Sequence, residues 1–257
     1  MNWARVFIGV GILAVVWIAA SATGVVSKTL LASPWDVYTA IQNGFAADAT
    51  PAQQIHVHAL HTIYRACSGW LFSLMIAIPL GIALGASAWV YAGAEGAIEL
   101  IRSIPPILAF PLLLVAFNFG DTAYLATILF GCTPIVILTI ARATQAISPA
   151  RREILRVYRV PRHRVAACYA MELVPGIFLG GRLAMSMALI ITVVSEMVFT
   201  PRNGLSLGAL ARDSQIDFNT PAFYACVLFA AIFGLTANMA LKYGEHRLGS
   251  KAKGDAI

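Results

Sequence analysis

Long apolar runs separated by short polar stretches set the pattern of this chain. Six runs are long enough to cross a bilayer, which takes about 20 residues each: residues 6–26, 63–89, 98–119, 123–141, 177–199 and 222–243. Strict two-residue alternation of the barrel type is not seen. Backbone groups in hydrocarbon must find their partners within their own segment, so the pattern predicts an all-α membrane protein with about six transmembrane helices. The first run is not expected to be a secretory signal, because its apolar core is long and no small-residue cleavage site stands out.

Two polar intervals predict short helices of their own. In SPWDVYTAIQNG, Ser33 suits an N-cap, Pro34 the first helical position and Gly44 the end, while Trp35 and Tyr38 suit a helix at headgroup level. The Gly-, Asp- and Asn-bearing interval 201–221 predicts another short helix on the same side. A third interval differs in kind. From Ser148 to Arg182 the chain reads SPARREILRVYRVPRHRVAACYAMELVPGIFLGGR, an arginine-dense loop between two spans. Ser148 and Pro149 open a helix there, with Glu153 near the positive end of its dipole. Pro161 breaks it, and a second short helix from about Arg162 is expected to end at Pro175, ahead of the fifth span.

Composition agrees with this division. The chain is 59% hydrophobic and 12% charged, against about a quarter charged in soluble domains. The formal net charge of +6 lies beside the spans, a mark of topology rather than of nucleic-acid binding. With a cytoplasmic N-terminus, the inside set holds Arg5, the arginines from Arg142 to Arg164, and Lys242, Arg247, Lys251 and Lys253. The outside set is Lys28, Arg202 and Arg212. Both termini and the basic loop are therefore expected to be cytoplasmic. Cys67, Cys132, Cys168 and Cys226 form no CxxC pair and read as small core residues.

Polar residues inside the runs are the candidates for chemistry. A charge at the centre of a span costs about 2.5–3.5 kcal/mol, so Glu196, after Thr192 and Ser195, should face protein or a water-filled path. It reads either as a lining or gating group or as an anchor to a neighbouring helix or the outer loop. Arg102 and Ser103 precede Pro105 and Pro106, whose missing amides kink a helix near a translocation path. Arg182 follows two glycines at the start of the fifth span and suits bonds to the loop or to nearby carbonyls. His56, His58 and His61 lack an acidic or Cys neighbour and read as interfacial residues rather than metal ligands. Asn118 and Asn238 suit interhelical hydrogen bonds, and Gly81 and Gly85 close helix packing.

Several ordered segments together resemble a known family. TIYRACSGW (62–70), PLGIALG (79–85), RSIPPILAFPLLLVAFNFGD (102–121), TPIVILT (133–139), SEM (195–197) and GLSLGAL (204–210) are similar, in order and spacing, to the permease subunits of ABC importers. The nearest subgroup serves nitrate, sulfonates, taurine and related small anions. The basic loop resembles that family's cytoplasmic coupling loop, with Glu153 at its head and Arg159 and Pro175 further along. Its departures lie in the loop itself. Ile154 and Leu155 stand where the family has alanines, Arg159 where it has glycine, and Val160 and Pro161 where it has small residues.

The resemblance implies a type I importer permease fold: a first helix and outer amphipathic segment (1–58), a five-helix core (59–248) with its coupling loop at 142–175, and a cytoplasmic tail (249–257). It implies a bacterial inner-membrane protein that pairs with a second permease copy, as a homodimer. An ABC ATPase subunit docks on Glu153, Ile154, Leu155, Arg156, Arg159, Val160, Pro161 and Pro175. A periplasmic or lipid-anchored solute-binding protein delivers the solute. Arg102, Ser103, Pro105, Pro106, Arg182, Thr192, Ser195 and Glu196 are then candidates for the path or its gates. The chain has no Gly-x-x-x-x-Gly-Lys-Ser/Thr phosphate loop and not even a Gly-Lys dipeptide, so ATP and Mg belong on the partner and no cofactor is expected here. The alternative reading is a secondary transporter driven by an ion gradient, which predicts inverted repeats and midplane charges.

Overall fold

The structure, a computed structural model, describes residues 3–23, 27, 29–45, 54–148, 150, 153, 157–201 and 204–254. Among these, the regular elements are helices: α1 (Trp3–Ala22), α2 (Pro34–Gly44), α3 (Ile55–Gly85), α4 (Ala88–Ser103), α5 (Pro106–Ala116), α6 (Asp121–Gln145), α7 (Arg162–Val198), α8 (Leu207–Ile216) and α9 (Thr220–Gly254). Four of them, α3, α6, α7 and α9, contain stretches long and apolar enough to span a membrane, and the bent pair α4–α5 makes a fifth span if counted as one. Helix α1 adds 20 residues, about 30 Å at helical rise, whose sole charged residue is Arg5.

Polarity is inverted relative to a water-soluble protein. Leu71 and Met75 on α3, Leu112 on α5, Ile190 on α7 and Ile232 on α9 are exposed, whereas Thr62, Ser73, Thr127, Thr192, Ser195 and Glu196 are buried to 1% exposure or less. Lipid accepts the apolar side chains, and the polar groups must find partners inside.

The chain divides into two compact units, residues 1–62 with 196–232 and residues 63–195 with 233–257. In the first unit, Ser33 caps α2 by accepting from the Asp36 amide, and Pro34 takes the first turn. Trp35 and Tyr38 are exposed and lie 5.5 Å apart. Val37, Ile55, Leu207, Ala211 and Ala225 form its apolar core. Trp17 of α1 stacks on Tyr224 of α9 and donates to the Ala32 carbonyl at 3.0 Å.

The second unit is built around α6, whose Ile128, Cys132, Val136, Ile137 and Ile140 pack with Ala77 of α3 and Ala184, Ala188 and Ile191 of α7. Glycines let the backbones meet. A Cβ on Gly69 would fall 2.7 Å from Ile128, one on Gly81 2.9 Å from the Ile137 carbonyl, and one on Gly85 2.5 Å from the Ala141 carbonyl. The predicted close packing at Gly81 and Gly85 is thus a contact between α3 and α6.

Two expectations are corrected. The third span, predicted as one helix over 98–119, is two helices meeting at 84°. A proline drives the residue before it out of the α region. Ile104 and Pro105 each precede a proline, and both are extended, with ψ of 120° and 119°. Conversely, no break occurs at Pro175, because α7 runs unbroken through it. Single prolines also sit inside α3, α5 and α6. One lost amide is tolerated in a packed membrane helix, whereas consecutive prolines leave no helical option for the residues ahead of them.

The seam yields a direct expectation. Gly85→Leu should lower the thermal midpoint of the detergent-solubilised protein, at a cost of about 1–3 kcal/mol or more from overpacking. Gly93→Ala, in α4 where an added Cβ meets nothing within 4 Å, should leave it equal or higher. Equal midpoints for Gly85→Leu and wild type would contradict the tight approach.

Candidate functional site

A buried polar knot forms where α3, α7 and α8 meet in the first unit. Glu196, fully buried, accepts from the Thr62 hydroxyl at 2.7 Å and from the Gly208 amide at 3.2 Å. Thr62 Oγ1 in turn accepts from the Leu207 amide at 2.8 Å. The Ser206 side chain accepts from the Ala209 amide at 3.1 Å, and the Ser206 amide donates to His58 Nδ1 at 3.0 Å. The first amides of a helix have no partner within it. Here Thr62, Glu196 and Ser206 supply those partners for α8, and the carboxylate also answers the positive end of its dipole.

On the same face of α7, one turn back, Thr192 donates to the Ala188 carbonyl at 2.7 Å. Ser195 Oγ is buried without a hydrogen-bond partner among the described residues. Of the histidines, His58 is engaged by Ser206, and His56 stacks on Phe45 at 5.0 Å.

The α4–α5 elbow carries a second group of candidates. Arg102 lies exposed in the last turn of α4, and Ser103 Oγ donates to the Glu99 carbonyl at 2.7 Å. Pro106 packs over α6, where a Cβ on Gly131 would fall 2.7 Å from its ring. The clamp between α4 and α6 uses a different cation. Arg142 reaches Glu95 and Glu99 at 2.9 Å each and the Tyr91 hydroxyl at 3.0 Å. Arg182, also in the second unit, donates to Asn238 Oδ1 at 2.9 Å and Glu245 Oε2 at 3.2 Å. Its partners are thus side chains of α9, where the sequence suggested the loop or nearby carbonyls. Asn238 forms the interhelical bond expected of it.

In the basic loop, Glu153 is helical and exposed, and Val160 and Pro161 lead directly into α7. Arg159 has φ of 48°, the left-handed conformation that favours glycine, at the position where the resembling family carries one. Pro175 sits exposed inside α7. Ile154, Leu155 and Arg156 lie outside the described residues, as do Lys28, Pro149, Arg151, Arg152 and Arg202.

Arg65 is a functional candidate that sequence reasoning missed. It is 7% exposed on α3, pairs with Asp121 at 3.3 Å, and lies 5.6 Å from the Tyr124 ring. The signal is present in the sequence, since an arginine inside an apolar run is costly in a membrane. It is masked because Arg65 stands within TIYRACSGW, where family resemblance already accounts for it.

The model of the family described as binding-protein-dependent transport system inner membrane component matches residues 77–250. A protein of Methanocaldococcus jannaschii named as an ABC transporter permease is 29% identical over 187 residues, 72% of this chain and 69% of its own length. A Bacillus subtilis protein named as a transport permease for aliphatic sulfonates is 21% identical, covering 96% and 87%. A nitrate import permease of Synechocystis is 24% identical, covering 94% and 87%.

The knot generates a stability test. Glu196→Ala should cost about 1–3 kcal/mol for each buried partner left unsatisfied and should open α8 to proteolysis in detergent. Glu196→Gln, which keeps an acceptor, should cost less. Identical proteolysis of Glu196→Ala and wild type would show that the bonds do not hold α8.

Proposed function

The chain belongs to the family of binding-protein-dependent transport system inner membrane components, and on that premise we propose that it is the membrane-spanning subunit of an ATP-driven importer for a small anion. The chain itself is a multi-pass inner-membrane permease component and not a catalyst. Nitrate, a sulfonate or taurine is the solute class; the relatives from Synechocystis and Bacillus subtilis, named for nitrate and for aliphatic sulfonates, support the first two. A solute-binding protein delivers the anion from outside, a separate ABC ATPase holds ATP and Mg, and two copies of this chain form the path. Both termini face the cytoplasm, which the distribution of Lys and Arg supports.

The observation that carries the coupling proposal is the continuity of α7. One unbroken helix of 37 residues, about 55 Å at helical rise, begins within the basic loop, directly after Pro161, and ends just past Glu196. A displacement of the loop by the ATPase is carried along a rod rather than lost at a hinge. Thr192, Ser195 and Glu196 lie at the far end of that rod, where they suit a gate on the path. The Pro105–Pro106 elbow, with Arg102 and Ser103, supplies the point where a neighbouring span can flex.

Glu153, exposed at the head of the loop, is the docking residue to test. Glu153→Arg should leave the protein folded, reduce co-purification of the ATPase by about tenfold or more, and lose ATP-driven uptake in proteoliposomes. Uptake by the purified chain alone, driven by an ion gradient, would instead establish a secondary transporter.

A further inference from the structure

Arg65 and Asp121 form a pair whose members depend on each other unequally. The Arg65 side chain is 8% exposed and sits within a membrane-spanning helix, whereas the Asp121 side chain is 66% exposed. A guanidinium cannot shed its proton to escape burial, so at this depth it requires an anion beside it. Asp121 has no such requirement. Its side chain is largely exposed, and it stands in the first turn of α6, where the helix dipole favours a negative charge without help from Arg65. The contact between them, Nε to Oδ1 at 3.3 Å, is long for a charge-assisted bond, which normally measures about 2.7–2.9 Å. The guanidinium is itself held in place over the Tyr124 ring, and that ring packs against Phe110 of α5 at 5.1 Å.

The segment carrying Asp121 is also unusual. Asn118 and Phe119 have φ of 53° and 56°, consecutive left-handed residues that are costly without glycine and persist only where the surroundings demand them. The Phe119 amide closes back on the Leu114 carbonyl at 2.8 Å. This corner sets the start of α6, and with it the Asp121 carboxylate, at Arg65.

From this asymmetry we infer that Arg65 is the cation that contacts the transported anion, and that the Asp121 carboxylate is a resident stand-in that yields its place as the anion passes. A guanidinium offers donors in a planar fork matched to oxyanions such as nitrate, sulfonate or carboxylate. Exchange of one anion for another keeps the buried charge compensated throughout, so passage requires no bare arginine in the membrane. The inference rests on the anion reading given under the proposed function.

The test uses the complete importer, with its ATPase and solute-binding protein, reconstituted in proteoliposomes with labelled nitrate and labelled ethanesulfonate as probes. Uptake and ATP hydrolysis are measured together, because a purely structural staple would lower both. Arg65→Gln is expected to reduce uptake at saturating anion by about tenfold or more, in line with the loss of one charged hydrogen bond, while ATP hydrolysis stimulated by the binding protein persists. Arg65→Lys should fall between Arg65→Gln and wild type. Asp121→Asn, which leaves Arg65 without its resident carboxylate but keeps the cation that meets the anion, should lower uptake by less than Arg65→Gln does. The double variant Arg65→Gln/Asp121→Asn removes both charges, so that folding is preserved even if Arg65→Gln alone misfolds, and it should remain as poor in uptake as Arg65→Gln. Equal losses in the two single variants with recovery in the double variant would make the pair a staple and overturn the inference. If the wild-type importer takes up neither probe, the anion reading itself falls, a failure visible ahead of any comparison of variants.

Discussion

In hydrocarbon, helices gain little by hiding apolar surface from one another, so cohesion depends on how closely their backbones approach. In the second unit that approach is set along α6. Gly69, Gly81 and Gly85 of α3 leave no room for a Cβ against it, and Gly176 of α7 leaves none against Ala143. The side chains gathered there, Ile128, Val136 and Ile140 among them, are fully buried, and their many small dispersion contacts replace the hydrophobic effect that organises a soluble core. The Arg142 clamp to Glu95 and Glu99, the Arg182 bonds to Asn238 and Glu245, and the Arg65–Asp121 pair are then strung on helices whose spacing is already determined.

Polar groups in these helices differ in where their charged or polar partners lie. Glu196 and Thr62 are consumed in capping α8, a use that converts an expensive buried carboxylate into the partner of otherwise orphaned amides. Arg182 is consumed by α9. Arg65 differs, because Asp121, the carboxylate it pairs with, is the exposed member of the pair. An importer of anions needs a cation that is compensated at rest without being permanently committed, and an exposed aspartate at a helix N-terminus meets that need.

Prolines show how the same residue acts differently by context. Pro79, Pro134 and Pro175 lie within continuous helices, where each removes one amide from a helix otherwise held by its neighbours. Pro105 and Pro106, being adjacent, place two residues in succession ahead of a proline ring, and the chain turns by 84°. The rod of α7 and the elbow of α4–α5 are therefore products of proline spacing. A rule that ends helices at every proline misreads the first, and one that allows only a kink understates the second.

Much of this protein is legible in its sequence. Hydropathy specifies an all-helical membrane chain, because long continuous apolar runs without barrel-type alternation satisfy their backbone in a bilayer as helices. Local capping chemistry at Ser33 and Pro34 specifies α2, since a cap depends on residues adjacent in sequence. The order of motifs from Thr62 to Leu210 points to the family. Tertiary structure alone decides what the buried polar residues do. Glu196 meets Thr62 across 134 positions of chain and Arg65 meets Asp121 across 56, and no pattern of period 3.6 encodes which distant groups a fold brings within bonding reach of each other. A charged residue in a span announces its cost in the sequence, whereas the partner that offsets that cost is set by packing.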